Sequence, residues 1–297
     1  MNQSTKNVVC FGEVLWDILP NGPQPGGAPM NVTYHLHQHD INATLITRIG
    51  NDKYGTDLKT VFAEKGVDTS HFQIDTIHET GKVNATPDGK GNMTYDIVMP
   101  VAWDFISLEE LIPGLVQEAG YFIYGSLAAR SEMSRKTLLT LLEHGPKKVM
   151  DVNLRAPYYT KPILLDLMGK ADFIKMNEDE LKLIGKWFID ASDSKDVVRQ
   201  ISKDLDVSTM VVTLGASGAL LYSNEQFYEH PGYQVEVEDT IGSGDAFLAG
   251  ILSKLMADVD PAEALDYAVR LGALVATKKG GCPFYELSEV NSITVKN

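Results

Sequence analysis

Several short runs of this chain are apolar on almost every residue, not on every second one, and helical patterns lie between them. The runs are "NVVCFG" (7–12), "ATLITRIG" (43–50), "GYFIYG" (120–125), "KKVMDVN" (147–153), "DFIKMN" (172–177) and "TMVVTLG" (209–215). A strand that is apolar throughout is covered on both faces, which is the condition of a parallel sheet with helices on either side. Helical periodicity over 30–39, 53–65, 131–143 and 194–204 supplies those covers. The alternation predicts a single α/β domain over 1–297, built on a doubly wound, mostly parallel sheet flanked by helices.

Two stretches break the alternation. Residues 13–22 read "EVLWDILPNG", and residues 73–99 alternate apolar with polar residues around turn signals at Thr80-Gly81 and Asp88-Gly89. Such alternation fits an antiparallel element with one wet face. The two stretches are expected to form a small β-sheet lid, although a decorative hairpin would have the same pattern. In the last third, Asn224-Glu225 marks a hairpin turn. Helices are expected at 243–257 and 261–277, the second with Asp260 as N-cap and Pro261 in its first turn.

The net charge of −14 opposes nucleic acid and anionic membrane surfaces as partners. No run approaches the roughly 18 apolar residues that a membrane helix needs. The opening residues read as a first strand instead of a signal peptide. Two cysteines, Cys10 and Cys282, with no secretion signal read as free thiols, and a cytoplasmic protein is expected.

The chemistry concentrates in "EDTIGSGDAFLAG", residues 238–250. Gly242 and Gly244 let the backbone turn so that successive N–H groups point one way. A helix beginning there adds about half a positive charge. Asp245 stands beside this anion-binding turn. Phosphoryl transfer to an alcohol needs that combination, because a hydroxyl loses its proton while charge spreads over the transferred group. The local pattern alone also allows a plain first-turn carboxylate. Other phosphate loops are absent. There is no G-x-x-x-x-G-K-[ST], and "GSGDAF" has Phe247 at the third glycine of the dinucleotide fingerprint.

The order of motifs resembles the ribokinase-like (PfkB) family of sugar kinases. "DTIGSGDAFLAG" matches that family's D-T-x-G-x-G-D-x-F-x-x-G signature, and "GGAPMNVTYHLHQ" matches its N-terminal glycine-glycine signature. "GEVLWD", "RIGNDKYG", "DVNLR", "KMNEDE" and "TLGASGA" follow the family's order, and the likeness runs from about residue 7 to residue 285. "GGAPMNV" and "DVNLR" look most like the fructokinase-type branch. The resemblance implies an ATP-dependent kinase acting on fructose. Ribose, 2-keto-3-deoxygluconate or a nucleoside remain rival substrates, and a catalytically silent sugar-binding regulator is the rival of another class.

The resemblance also implies roles. Asp245 would be the base, and the amides of Gly242, Ser243, Gly244 and Asp245 the anion hole. Asp17, Gly27 and Asn31 would hold sugar hydroxyls, with Arg155 clamping a phosphate or a sugar oxygen. Asn177, Thr213, Gly215 and Gly218 would line ATP, and Glu180 would act on Mg²⁺ through water. Asp239 and the Ile241 carbonyl match half of a K⁺ site whose other half would be carbonyls near Val275, Lys278 and Gly280. Phe284 stands where some members carry a small polar ligand. Read without the family, Asp17 and Arg155 are surface charges, Asn177 and Glu180 a helix cap, and Gly218 a strand turn.

Tyr95 and Ile97 are expected in the lid, whose open face could pair subunits into a homodimer. Trp16, Trp103 and Phe105 are assigned either to the sugar or to packing. In "HLHQHD" only His35 and His39 share a helix face, so the histidines read as a wet face and not as a zinc site.

Overall fold

The apolar runs do become the strands of one large sheet. The computed structural model describes residues 7–20, 22–87, 93–110, 112–144 and 147–294. Strands β1 (Asn7–Phe11), β4 (Asn42–Gly50), β5 (Phe72–Asp75), β8 (Tyr121–Gly125), β9 (Lys147–Asp151), β10 (Phe173–Asn177), β11 (Thr209–Thr213), β12 (Ala219–Ser223) and β13 (Gln226–His230) lie in the order β13-β12-β11-β10-β9-β8-β1-β4-β5. Neighbours from β5 to β11 run parallel, and β12 and β13 are added antiparallel. Asn224 and Glu225 both take positive φ, 50° and 62°, as the two-residue turn between β12 and β13 requires.

A second sheet has the order β3-β2-β6-β7, from β2 (Leu15–Leu19), β3 (Gly22–Gly26), β6 (Gly81–Pro87) and β7 (Met93–Ile97). Part of the 73–99 stretch lies elsewhere, because Phe72–Asp75 is β5 and pairs with β4 in the large sheet. The expected turn at Thr80-Gly81 is a strand start instead. Thr80 is fully buried, and its hydroxyl both donates to Asp52 (2.7 Å) and accepts from the Gly50 amide (3.0 Å). The Asp88-Gly89 turn falls outside the described residues.

Helices cover both faces: α1 (Ala28–His37), α2 (Lys53–Glu64), α3 (Ile112–Glu118), α4 (Glu132–Leu142), α5 (Lys161–Met168), α6 (Glu178–Gly185), α7 (Ser194–Leu205), α8 (Ser243–Leu255), α9 (Pro261–Ala276) and α10 (Leu287–Ser292). One core cluster joins Phe11, Phe122, Met150 and Ile174 to Trp103 and Leu138. The other joins Cys10, Leu45, Val149 and Val211 to Tyr34, Leu248 and Ala268. Alternate residues of one strand therefore enter opposite cores, which is why the runs are apolar throughout.

This topology positions the site. From β1 the chain adds β4 and β5 on one side, then returns to build β8 to β13 on the other. Ligands of open α/β sheets bind beyond the carboxyl ends of the strands near such a reversal. Glu13 lies just past the end of β1, Arg155 past β9, Glu180 past β10 and Gly215 past β11. Among the described residues no helix is long and apolar enough to cross a membrane.

Candidate active site

Helix α8 opens at Gly242, whose φ of 76° places it in the left-handed region. A methyl group at that position would lie 2.5 Å from Gly281 Cα, so the turn presses directly on the backbone of the loop after α9. No side chain among the described residues caps α8. The amides of Gly242, Gly244 and Asp245 make no hydrogen bond among the described residues, whereas the Ser243 amide donates to Thr240 O at 3.3 Å. Three of the four expected donors are thus free at the positive end of a 13-residue helix.

Asp245 sits in the first turn of α8 and is buried. Its Oδ2 accepts from Asn31 Nδ2 at 2.8 Å, which joins α8 to α1. Burial pushes the Asp245 carboxyl up to about 6. The ammonium of Lys175 pulls it back down, Asp151 pushes it up, and the Asn31 bond and Arg155 lower it. A carboxylate tuned near the working pH is what a general base needs.

Lys175 and Asp151 were missed by reading the motifs alone. Lys175 is the one charged residue inside the apolar strand β10, and it is buried. Its Nζ lies 3.0 and 2.9 Å from the two oxygens of Asp151 at the end of β9. It also comes within 3.2 Å of where a methyl on Gly244 would stand, so a cation lies under the helix turn. Burial works against that charge, but Asp151 and Asp245 more than offset it and hold the Lys175 pKa above its ordinary value. A lysine in a strand otherwise buried on both faces was the available signal.

Glu13 is the third missed residue. It follows β1, is buried, and its Oε2 has no hydrogen-bond partner among the described residues. A methyl on Gly27 would lie 2.5 Å from the Glu13 carbonyl, so Gly27 owes its place to close backbone approach at the start of α1. Burial pushes the Glu13 carboxyl up to about 7, against amide hydrogen bonds and the field of Arg155. Asp17, in β2, is half-buried, and burial pushes it up to about 6 against Arg155. Arg155 is exposed and makes no ion pair with a side chain among the described residues, yet its field reaches Glu13, Asp17 and Asp245. Arg155 thus links Glu13, Asp17 and Asp245 electrostatically, with Asp245 in the α8 turn.

On the sheet's other side, Asn177 and Glu180 form a reciprocal cap. Asn177 Oδ1 accepts from the Glu180 amide at 2.9 Å, and Glu180 Oε2 accepts from the Asn177 amide at 2.8 Å. Glu180 Oε1 accepts from Leu154 N at 2.7 Å. Both carboxylate oxygens are therefore occupied once, which leaves lone pairs for water but suits direct metal ligation poorly. Asp239 bridges two loops. Its Oδ1 accepts from Ile241 N and its Oδ2 from Gly280 N, each at 3.0 Å. That bond brings together the two loops expected to form a K⁺ site, although the Val275 carbonyl already accepts from Lys278 N at 2.9 Å. Phe284 is 71% exposed. Thr213 ends β11, and Gly215 lies in open space at its end. At Gly218, whose φ is 89°, a methyl would fall 1.8 Å from His230 O, so the strand turn itself requires glycine there.

The residues 6–286 match the pattern of the pfkB family carbohydrate kinases. The chain belongs to that family. A curated fructokinase of Klebsiella pneumoniae is 31% identical over 91% of this chain and 93% of its own. Among solved structures, a double mutant of the Vibrio cholerae O395 fructokinase, with fructose, ADP and potassium ion bound, is 25% identical with a TM-score of 0.83 over 99% of both chains. The aminoimidazole riboside kinase of Salmonella enterica, complexed with aminoimidazole riboside and an ATP analog, is 26% identical with a TM-score of 0.79 over 97% of this chain and 99% of its own. This pfkB chain is therefore a carbohydrate kinase of the ribokinase-like fold, with the smaller second sheet described above.

Several aromatic and histidine assignments resolve as packing in this kinase. Trp16 donates its Nε1 to Tyr54 O at 2.9 Å and lies against α2. Trp103 is fully buried under the Arg130 guanidinium, 3.8 Å from its carbon, and Phe105 stacks on His78. Tyr95 is 60% exposed on the small sheet. The expected wet face of "HLHQHD" is corrected at two positions. His35 is fully buried, bonded to Tyr285 Oη and Gly281 O at 2.9 Å each, and His39 bonds His35 O and Tyr267 Oη. His35 lies inside because α1 is sandwiched between the sheet and α8, whereas His39 is half-buried in the turn after α1. No cluster of metal-binding side chains occurs among the described residues.

Proposed function

We propose that this kinase transfers the γ-phosphoryl group of ATP to a hydroxyl of fructose, with Asp245 as the base. The observation that carries the reading is the junction at the start of α8. A buried carboxylate, titrating near neutrality, lies within one helical turn of three free amides and over a buried lysine. The amides and Lys175 would stabilise charge on the phosphoryl group, and Asp245 would take the hydroxyl proton beside it. Such preorganised donors typically contribute a few kcal/mol to a rate. Asn31 and Asp17 offer a donor and an acceptor to sugar hydroxyls.

ATP would lie along the carboxyl ends of β10 and β11, lined by Asn177, Thr213, Gly215 and Gly218. Mg²⁺, when bound, neutralises phosphate charge. Glu180 would hold it through water, since both of its oxygens already accept amide hydrogens. The Asp239 bridge supports a monovalent-cation site beside the anion hole, as does the potassium ion in the Vibrio cholerae structure. The small sheet would close over the sugar and exclude water.

Fructose is favoured by the fructokinases among the relatives, including the one at 31% identity. A second acceptor class is favoured by the aminoimidazole riboside kinase, whose fold matches almost as well. Steady-state kcat/KM for ADP release should be measured with fructose, ribose, 2-keto-3-deoxygluconate, aminoimidazole riboside and adenosine. Fructose should exceed each other acceptor by at least about tenfold, the scale a few misplaced polar contacts produce. A riboside preferred over fructose would overturn the substrate and leave the phosphoryl chemistry standing.

A further inference from the structure

The loop after α9 is fastened at successive backbone groups. Asp239 accepts from the Gly280 amide at 3.0 Å. The Gly281 carbonyl meets His35 Nε2 at 2.9 Å, the Cys282 carbonyl accepts from Lys65 Nζ at 2.9 Å, and the Pro283 carbonyl accepts from Tyr34 Oη at 2.8 Å. A carbonyl only accepts, so His35 carries its proton on Nε2, and its Nδ1 accepts from Tyr285 Oη. Burial lowers His35 to about 3, so this arrangement persists across the working pH range. The Gly281 backbone also closes against Asn31: a methyl there would lie 2.6 Å from Asn31 Nδ2.

What this strap presents inward is the Cys282 thiol. Its Sγ lies 3.1 Å from Asn31 Oδ1, while Asn31 Nδ2 donates to Asp245 Oδ2 at 2.8 Å. An amide can present either end to its neighbours. An ionised carboxylate accepts only, so the end facing Asp245 must be the nitrogen. The end facing Cys282 is then the oxygen, and the thiol is its donor. Burial raises the Cys282 pKa, which keeps the proton on sulfur.

We infer that Cys282 is a positioning residue for the phosphoryl-transfer base: its thiol holds the Asn31 amide with the nitrogen toward Asp245. The inference rests on the reading of Asp245 as base. A second hydrogen on Asn31 Nδ2 remains for the acceptor sugar. The Asn31 bond also lowers the Asp245 pKa. Loosening the amide therefore weakens two things together, the orientation of the carboxylate and the stability of its ionised form. Neither effect needs Cys282 to touch substrate.

The test is the pH dependence of kcat in Cys282→Ala, Cys282→Val and Cys282→Ser, with Asp245→Asn alongside and folding checked by circular dichroism. Alanine and valine lack the donor but err in size in opposite directions, so a shared effect is not one of packing. Serine keeps a donor. Alanine and valine should both move the acid limb of kcat upward, by about half a pH unit, and lower kcat at neutral pH by about three- to tenfold, the scale of one hydrogen bond. Serine should keep the wild-type limb. If alanine and valine keep the wild-type limb while Asp245→Asn collapses the rate, the thiol positions nothing and the inference fails alone. If only one size variant moves it, packing explains the result and the inference again fails. If Asp245→Asn retains its rate, the base assignment fails and the inference falls with it.

Discussion

Two glycines share a backbone conformation but not a neighbourhood, and replacing each with alanine separates the two effects. Gly242 has φ 76° and Gly215 has φ 58°. Alanine in that left-handed region costs about 1 kcal/mol at either site. At Gly215 the added methyl meets nothing within 4 Å. At Gly242 it meets Gly281 Cα at 2.5 Å and Gly281 O at 2.6 Å, which are backbone atoms of the fastened strap and cannot rotate away. Overpacking of this kind adds roughly 1–3 kcal/mol. Urea unfolding should therefore show Gly215→Ala destabilised by about 1 kcal/mol and Gly242→Ala by about 2–4 kcal/mol. The function should split further. The Gly242 methyl must push the α8 turn and the strap apart, displacing the free amides, and removal of one such donor costs about 10²–10³ in kcat. Gly215→Ala should alter the KM for ATP and leave kcat within about threefold, since it leaves the α8 amides in place. Equal stability losses with equal kcat would refute the claim that close packing of Gly242 on Gly281 sets the anion hole.

Three other outcomes follow from the charges. The acid limb of kcat should lie near pH 6, because Asp245 titrates at about 6 and, as the proposed base, must be ionised to act; a rate independent of pH down to pH 5 would contradict the assignment. The same raised pKa means that folding favours the protonated form: the associated stability is full below the unfolded value of about 3.8 and is lost as pH rises through about 6. Asp245→Asn should therefore stabilise the fold at neutral pH by roughly 1–3 kcal/mol in urea unfolding while abolishing turnover. Lys175→Met should destabilise by about 3–5 kcal/mol by leaving Asp151 buried without its partner, and should move the acid limb upward; an unchanged unfolding midpoint would show that the pair carries no weight.

The strands were legible because each must be apolar on both faces, and that leaves little ambiguity in "NVVCF" or "TMVVT". Short elements were not. The strand Phe72–Asp75 spans four residues, too few for a period, and its place beside β4 is set by tertiary pairing. Helix α1 begins at Ala28, before the expected position, because Pro29 suits a first turn and forbids little else. Within the site, Asp245 was readable from the two glycines just before it, whereas the Lys175–Asp151 pair joins residues 24 apart on neighbouring strands. His35 misled for a related reason. Polar residues on a helix suggest a wet face, but Asn31, Thr33 and His35 are each satisfied inside by a partner, two of them by partners more than 200 residues away. Long-range partners of buried polar groups leave no mark in local periodicity.

The measurement that tests the account most directly is ADP formation from Mg·ATP, with and without fructose, in the wild-type and Asp245→Asn proteins. The account predicts fructose-dependent turnover in the wild type and a loss of at least about 10²-fold in kcat in the variant, with the variant still folded and still binding ATP. Turnover by Asp245→Asn within a few-fold of the wild type would contradict the assignment of the base and, with it, the role given to the turn that opens α8.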